Sequence, residues 1–267
     1  MATSQPIIQV ENLTAAFDDA VVLRDVSFEV YPGEAFLVVG RSGCGKTTLL
    51  KHMIGLLQPV SGRVVIDGDD VTRLAGPERT RLLRKFGVTF QTGALFGSMT
   101  LLENVRLGLE EFTDLPREAI DLIATMKLDL VGLRDARHRM PAEISGGMQK
   151  RAAIARAIAM DPRILFMDEP AAGLDPVTLA SFDQLILDLA HSLQMTFVIV
   201  THELTTVFSV ADRVIMLDKD TRTVAAAGTP EELSRRNDNP AVWDFFHQTD
   251  QPRSRRPNPP PSEELRP

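Results

Sequence analysis

The residues with the most chemical content form GRSGCGKTT, Gly40 to Thr48, which fits the spacing G-x-x-x-x-G-K-[ST]. The small residues Gly40, Ser42, Gly43, Cys44 and Gly45, with Arg41 among them, let consecutive backbone N–H groups converge on phosphate oxygens. The helix expected after them adds the positive end of its dipole. Lys46 is placed to neutralise the outer phosphates of a bound nucleotide and Thr47 to hold Mg²⁺ through its hydroxyl, with Thr48 ending the phosphate-binding stretch. Cys44 reads as a loop position under no constraint. The plain alternative is a glycine turn. Against it stands the setting: the apolar run AFLVVG comes before and the helical pattern TTLLKHMIGLL after.

Other polar residues fall where apolar runs end. RILFMDEP, Arg163 to Pro170, closes on two carboxylates, placing Asp168 to hold a metal's water shell and Glu169 to polarise an attacking water. Without the phosphate loop, the same pair would read as a solvated turn or a helix start. His202 follows FVIVT and Gln91 follows FGVTF, in the position where an α/β sheet gathers its site residues. There His202 can hydrogen-bond a γ-phosphate and the Gln91 amide can reach the metal shell. Alone, the histidine would more often cap or fill a core, and the glutamine would carry no signal. A second anion site is suggested by ISGGM, Ile144 to Met148: a Ser145 hydroxyl and the amides of Gly146 and Gly147 opening an Ala-rich helix. Its plain alternative is a simple helix cap.

These positions need a scaffold that brings strand ends together. IIQVENL and VVLRDVSFEV read as strands of an antiparallel entry sheet, and RVVIDGDD carries an Asp-Gly turn. From Thr92 to Asp161 the spacing changes to threes and fours and β signals nearly vanish. They return at RILFMDE and TFVIVTHE, separated by SFDQLILDLAHSLQ, where Phe182, Leu185, Ile186, Leu189 and Leu193 share a helical face. Parallel strands with crossover helices follow. The fold class expected is α/β: a phosphate-loop NTPase core with a parallel sheet, an N-terminal antiparallel β subdomain and an inserted helical subdomain at about 92–161. The nucleotide-binding unit spans 1–250, and the proline-rich 251–267 reads as a disordered tail. Just before it, AVWDFF puts Trp243 and Phe246 one helical turn apart, for docking either on the chain's own core or on a neighbouring copy.

With 29 basic and 36 acidic residues the net charge is −7, which argues against broad attraction to nucleic acid. No apolar run approaches the roughly 20 residues of a membrane helix. The single cysteine excludes an internal disulfide, and the start MATSQPIIQVENL does not look like a secretion signal, so a cytoplasmic location is expected.

With Gln91, the ISGGM helix start, Asp168 and Glu169, GLD at 173–175 and His202 in this order, residues 7 to 230 resemble the ATP-binding-cassette ATPases. The resemblance implies ATP with Mg²⁺ and a head-to-tail pair of chains. Ser145, Gly146 and Gly147 of one copy then close on the γ-phosphate held by the phosphate loop of the other. It also matches Phe17 to the aromatic that stacks on adenine, and Asp175 to the loop that crosses between subunits. Where family signatures usually end in glutamine, this chain has Met148, which removes a polar contact and leaves the phosphate donors.

Phe90 to Val105 and the insert MKLDLVGLRDARHRMPAEISGGM are similar to cassette subunits of bacterial phospholipid-transport systems of the Mla type. That likeness implies an integral membrane permease, MCE-domain lipid-binding proteins, often a STAS-domain protein, and a peripheral place on the cytoplasmic face of the inner membrane. Competing readings are a cassette for another substrate, a soluble ATPase acting on DNA or ribosomes, and a nucleotide sensor without turnover. Long coiled-coil insertions or a second cassette would favour the soluble machine, and this chain has neither.

Overall fold

Strands β1 (Ile8–Phe17) and β2 (Ala20–Val30) pair antiparallel, as their alternating patterns require. After β3 (Ala35–Val39) and α1 (Lys46–Met53) the chain returns through β4 (Ser61–Ile66) and the short β5 (Asp69–Asp70). This completes a four-stranded sheet in the order β2-β1-β4-β5. The Asp67-Gly68 pair is the hairpin turn, both residues having φ near the left-handed region at 48° and 84°. The computed structural model describes residues 5–18 and 20–247. The tail expected at 251–267 lies outside them.

The second sheet has six strands. After α2 (Gly76–Leu83) come β6 (Phe86–Thr89), the helices α3 (Leu101–Phe112), α4 (Arg117–Leu130) and α5 (Gly146–Ala157), then β7 (Ile164–Asp168). The chain continues through α6 (Pro176–Leu193), β8 (Thr196–Val200), α7 (Leu204–Val210), β9 (Arg213–Leu217) and β10 (Val224–Gly228), ending in α8 (Pro230–Ser234) and α9 (Pro240–Phe246). The order is β10-β9-β3-β8-β7-β6, parallel throughout except for β10 against β9. The expected insert is present as α3 to α5, between β6 and β7.

Both faces of this sheet are covered, so its strands are continuously apolar. Leu37, Val39, Leu165, Met167, Phe197 and Ile199 face the helical side with Leu101, Ile120, Ala155 and Phe182. Their alternating neighbours Phe36, Val38, Phe166, Val198 and Val200 pack with Leu49 and Leu50 of α1 and with Ile8, Leu13 and Val64 of the antiparallel sheet. The sheet is therefore clamped between α1 and α6, and its carboxyl strand ends open on one side.

Two local readings change, and one left open falls to the first of its alternatives. On α6, Phe182, Leu185, Ile186 and Leu189 are buried, but Leu193 is 37% exposed, because the helix ends there and Gln194 turns left-handed at φ 48°. The helix α1 stops at Met53, short of the pattern that suggested it, as Leu56 and Leu57 both donate back to Lys51 O. Finally, α9 docks on the core of its own chain: Val242, Phe245 and Phe246 are buried, and Phe246 meets Phe208 edge-on at 6.1 Å. Trp243 stays outside, stacked on His247 at 3.6 Å.

Candidate active site

Four of the parallel strands end in chemistry. Gly40 follows β3, Gln91 lies two residues past β6, Asp168 is the last residue of β7, and His202 lies two past β8. Parallel pairing of β3 with β8, β8 with β7 and β7 with β6 puts these ends side by side. A cavity of about 560 Å³ opens there, lined by the loop residues Gly40 to Gly43 and Gly45 to Thr48 together with Gln91, Glu169 and His202. A larger cleft, about 990 Å³, sits at the opposite strand ends among Pro32, Arg163, His191 and Met195 and contains none of these groups.

The loop's shape depends on close approach. At Gly40, φ is +146° and an added Cβ would meet Leu217 O at 2.5 Å and Cys44 Sγ at 2.7 Å. Cys44 is thus no free loop position: its side chain is 2% exposed, turned beneath the loop, and burial pushes its thiol pKa up. The loop curls around Lys46, whose ammonium donates to Gly40 O at 2.9 Å. A flexible cation is thereby held at the cavity, with its stem in the protein.

Around it the carboxylates divide their work. The buried Asp168 accepts from the Thr47 hydroxyl at 2.9 Å. Burial pushes its carboxyl above the usual range, and the neighbouring Glu169 adds to this, with the Thr47 hydrogen bond opposing. Glu169 donates its N–H to Val200 O at 2.8 Å and accepts at Oε2 from His202 Nδ1, also at 2.8 Å. Its other oxygen lies 3.7 Å from Lys46 Nζ. With φ at +47°, Glu169 sits in the left-handed region, a conformation costing on the order of 1 kcal/mol for a residue other than glycine. A carboxylate held at one oxygen by an imidazole, beside a cation, at the mouth of a phosphate loop, is suited to orient water toward a phosphorus atom.

For Mg²⁺ the residues fit. A hydroxyl from Thr47, a carboxylate from Asp168 and an amide oxygen from Gln91 are the hard oxygen donors that ion takes. A buried carboxyl whose ionisation is disfavoured is also what a bound dication would relieve.

Not every expected residue comes here. Ser145, Gly146 and Gly147 are absent from the cavity's lining. Ser145 caps α5 instead, accepting from Met148 N at 3.3 Å, which leaves its own hydroxyl proton available. The first amides of the helix have no acceptor within it. Asp175 caps α6 through the amides of Val177 and Thr178. Phe17, 48% exposed at the end of β1, also stands outside the lining. Sequence reasoning missed Val22 and Phe245, which complete it. Phe245 reaches the phosphate loop from the far end of the described chain, with Arg41 and Asp244 paired at 3.2 Å alongside it. The only signal for it was the apolar cluster AVWDFF.

A family model described as ABC transporter matches residues 23–172. The chain is 39% identical over 249 residues to the intermembrane phospholipid transport system ATP-binding protein MlaF of Haemophilus influenzae, covering 93% of this chain and 94% of that one. It is 40% identical over 240 residues to the probable ribonucleotide transport ATP-binding protein mkl of Mycobacterium leprae, covering 90% and 68% respectively. Among solved structures it is similar to a dimeric post-hydrolysis state of the ATP-binding cassette MJ0796 bound to ADP and Pi, with TM-score 0.76, 30% identity, and 83% of this chain and 98% of that one covered. It is also similar to cbiO1 from Clostridium perfringens, part of the ABC transporter complex cbiONQ, with TM-score 0.80, 27% identity, and 87% and 92% coverage.

Proposed function

The chain belongs to the ABC transporter family and is an ATPase; from that premise we propose that two copies close head to tail around two ATP and drive a membrane permease that moves phospholipids. The observation that carries the two-copy arrangement is a separation. The cavity of Lys46, Thr47, Gln91, Glu169 and His202 lacks any group from the Ser145 helix start, which presents a hydroxyl and free amides elsewhere on the same chain. One triphosphate reaches both kinds of donor only if a second copy supplies the Ser145 half.

In this reading the nucleotide's phosphates rest on the amides of Gly40 to Thr48, and Lys46 shifts from Gly40 O to the β and γ phosphates. Phe17 stacks on adenine. Mg²⁺, held by Thr47, Asp168 and Gln91, supplies neutralisation of charge developing on the transferred phosphoryl group. Glu169 takes the proton side of the attacking water, oriented by His202. The chain supplies placement and charge rather than a covalent intermediate. Asp175, capping α6 where it follows the catalytic strand, links the two pockets. Closure is useful for transport only if ATP binds the closed pair more tightly than the open one, and the helices α3 to α5 pass the difference to the permease.

The phospholipid cargo is supported by the likeness to MlaF over nearly the whole of both chains. In this reading the chain lies on the cytoplasmic face of the inner membrane in a complex with MCE-domain and STAS-domain proteins, as the sequence resemblance to Mla-type cassettes implies, and its net charge of −7 argues against nucleic acid as a partner. Among the described residues no helix is long and apolar enough to cross a membrane. A ribonucleotide cargo is the second reading, since mkl matches at 40% identity.

One preparation tests both. The complex isolated from membranes in detergent should contain an integral membrane protein and co-purify with phospholipid identified by mass spectrometry. Bound ribonucleotide beyond the ATP sites, with no lipid, would refute the cargo. In the purified ATPase, Glu169→Gln should trap an ATP-bound pair of chains visible by light scattering, and turnover at the parental rate would refute the assignment of the base.

A further inference from the structure

Helix α5 is fastened to the segment after Glu169 more firmly than a helix cap requires. One turn beyond Gly146, Lys150 donates from Nζ to Pro170 O at 2.7 Å. Next to it Arg151 donates to Ser181 O and Oγ on α6, and to Val131 O at the end of α4. The Lys150 stem shares a small cavity with Thr89, Phe90, Ala153, Met167 and Phe182. Apart from Thr89, the surroundings of this cation are apolar. Burial accordingly lowers the Lys150 pKa, against which the Glu169 carboxylate acts.

The acceptor matters more than the donor. Pro170 O is the carbonyl of the residue that follows Glu169, in the Pro170–Ala171 peptide, and Glu169 is the residue with φ +47°. The Glu169 amide is tied to Val200 O, and its carbonyl accepts from Ala172 N at 3.2 Å. Lys150 adds a side-chain tie to the backbone of this segment, beside the His202 and Lys46 contacts to the Glu169 carboxylate. A left-handed residue relaxes unless its neighbours fix it, and relaxation here would swing the carboxylate away from His202 and the cavity.

We propose that Lys150 is a positioning residue for Glu169, through which the helix that receives one ATP at its N-terminus sets the general base acting on the other. This rests on the two-copy reading above. Ser145 and Lys150 stand on the first two turns of one helix, so closure of a partner's γ-phosphate onto Ser145 bears on Pro170 within the same chain. The two pockets of the pair are then joined through each chain's own α5, and a partner's nucleotide readies the local base.

Lys150→Met keeps the stem and removes the ammonium. The expected result is at least about a tenfold fall in kcat, with the Kd for ATP within about threefold of the parent, and recovery to within about threefold in Lys150→Arg. In a Glu169→Gln background, Lys150→Met should still form the ATP-bound pair, since the base and not the closure is affected. Parental kcat in Lys150→Met overturns the proposal, as does failure of Arg to restore it. Loss of the trapped pair in the double variant also overturns it, by making Lys150 a plain support of the Ser145 site. If Glu169→Gln alone retains parental turnover, the base assignment fails and this proposal with it. If Glu169→Gln is inactive and Lys150→Met is normal, only this proposal fails.

Discussion

Gly146 and Gly147 give a paired test of the split pocket, because one is crowded within its own chain and the other is not. An added Cβ at Gly147 would lie 2.8 Å from Thr178 Cγ2, about 0.6 Å inside the 3.4 Å at which ordinary contact begins. Thr178 cannot simply rotate away. Its hydroxyl donates to Asp175 Oδ2, and its amide donates to the same carboxylate that caps α6. Gly147→Ala must therefore either shift the start of α5 or break that hydrogen bond, at about 1–2 kcal/mol of stability. A shift of this size at a phosphate-contacting helix start should lower kcat by about 10- to 100-fold, since misplacement near 1 Å costs about 10²-fold. At Gly146 a Cβ meets nothing within 4 Å. Gly146→Ala should fold at parental stability or slightly better, alanine being the better helix former, and still lose turnover, because its methyl occupies space reserved for another chain's phosphate. The assays are denaturant midpoints, steady-state phosphate release and ATP affinity of the dilute single chain. Affinity should hold within about threefold in both variants. Parental turnover in stable Gly146→Ala, or a tenfold loss of single-chain affinity in either variant, would refute the reasoning.

Other outcomes follow from the same geometry. Glu169→Gln should lower kcat by about 10²- to 10⁴-fold, the usual range for a positioned base, without weakening ATP binding, as read by phosphate release and a fluorescent nucleotide. Cys44, the one thiol in the chain, should react with a disulfide reagent at neutral pH at least about tenfold slower than a free thiol, because burial and a raised pKa both reduce accessible thiolate. Unfolding should abolish that protection, and fast labelling of native protein would contradict the placement. Asp244→Asn should move stability by less than about 1 kcal/mol, since its pair with Arg41 is half exposed on both sides. A larger shift in the denaturant midpoint would mean the pair does more than close a surface. Truncation after Arg236 removes the buried Val242, Phe245 and Phe246 and should lower the thermal midpoint. An unchanged midpoint would show that this core does not depend on α9.

The local chemistry was legible because it is written locally. A phosphate loop, an Asp-Gly turn and a strand ending in two carboxylates each carry their geometry within a few residues, and the structure places all three as expected. Helix α2 was not legible: GPERTRLL buries only Leu82, so it lacks an apolar face to read. Strand β10, VAAAG, is poor in branched residues and is a strand because it pairs with β9. Phe245 and Lys150 illustrate a different limit. Neither has a local pattern that distinguishes it, since what each does is decided by a partner reached through the fold, the cavity for one and Pro170 O for the other. Cys44 was misread for a related reason: a residue type says nothing of which way a tight loop turns its side chain.

The placement of Ser145 away from the cavity that holds Lys46 has a consequence for inheritance. When equal amounts of sound and Gly146-altered chains mix at random, only about a quarter of the pairs are sound throughout. In the proposed pair, each altered chain would spoil the pocket of the copy it joins while its own phosphate loop still binds nucleotide, so about half of the pairs keep one intact pocket. A cell carrying both alleles should therefore keep between about a quarter and about half of the parental activity, the lower figure if the two pockets must act together, and in that case a damaged allele should behave as dominant.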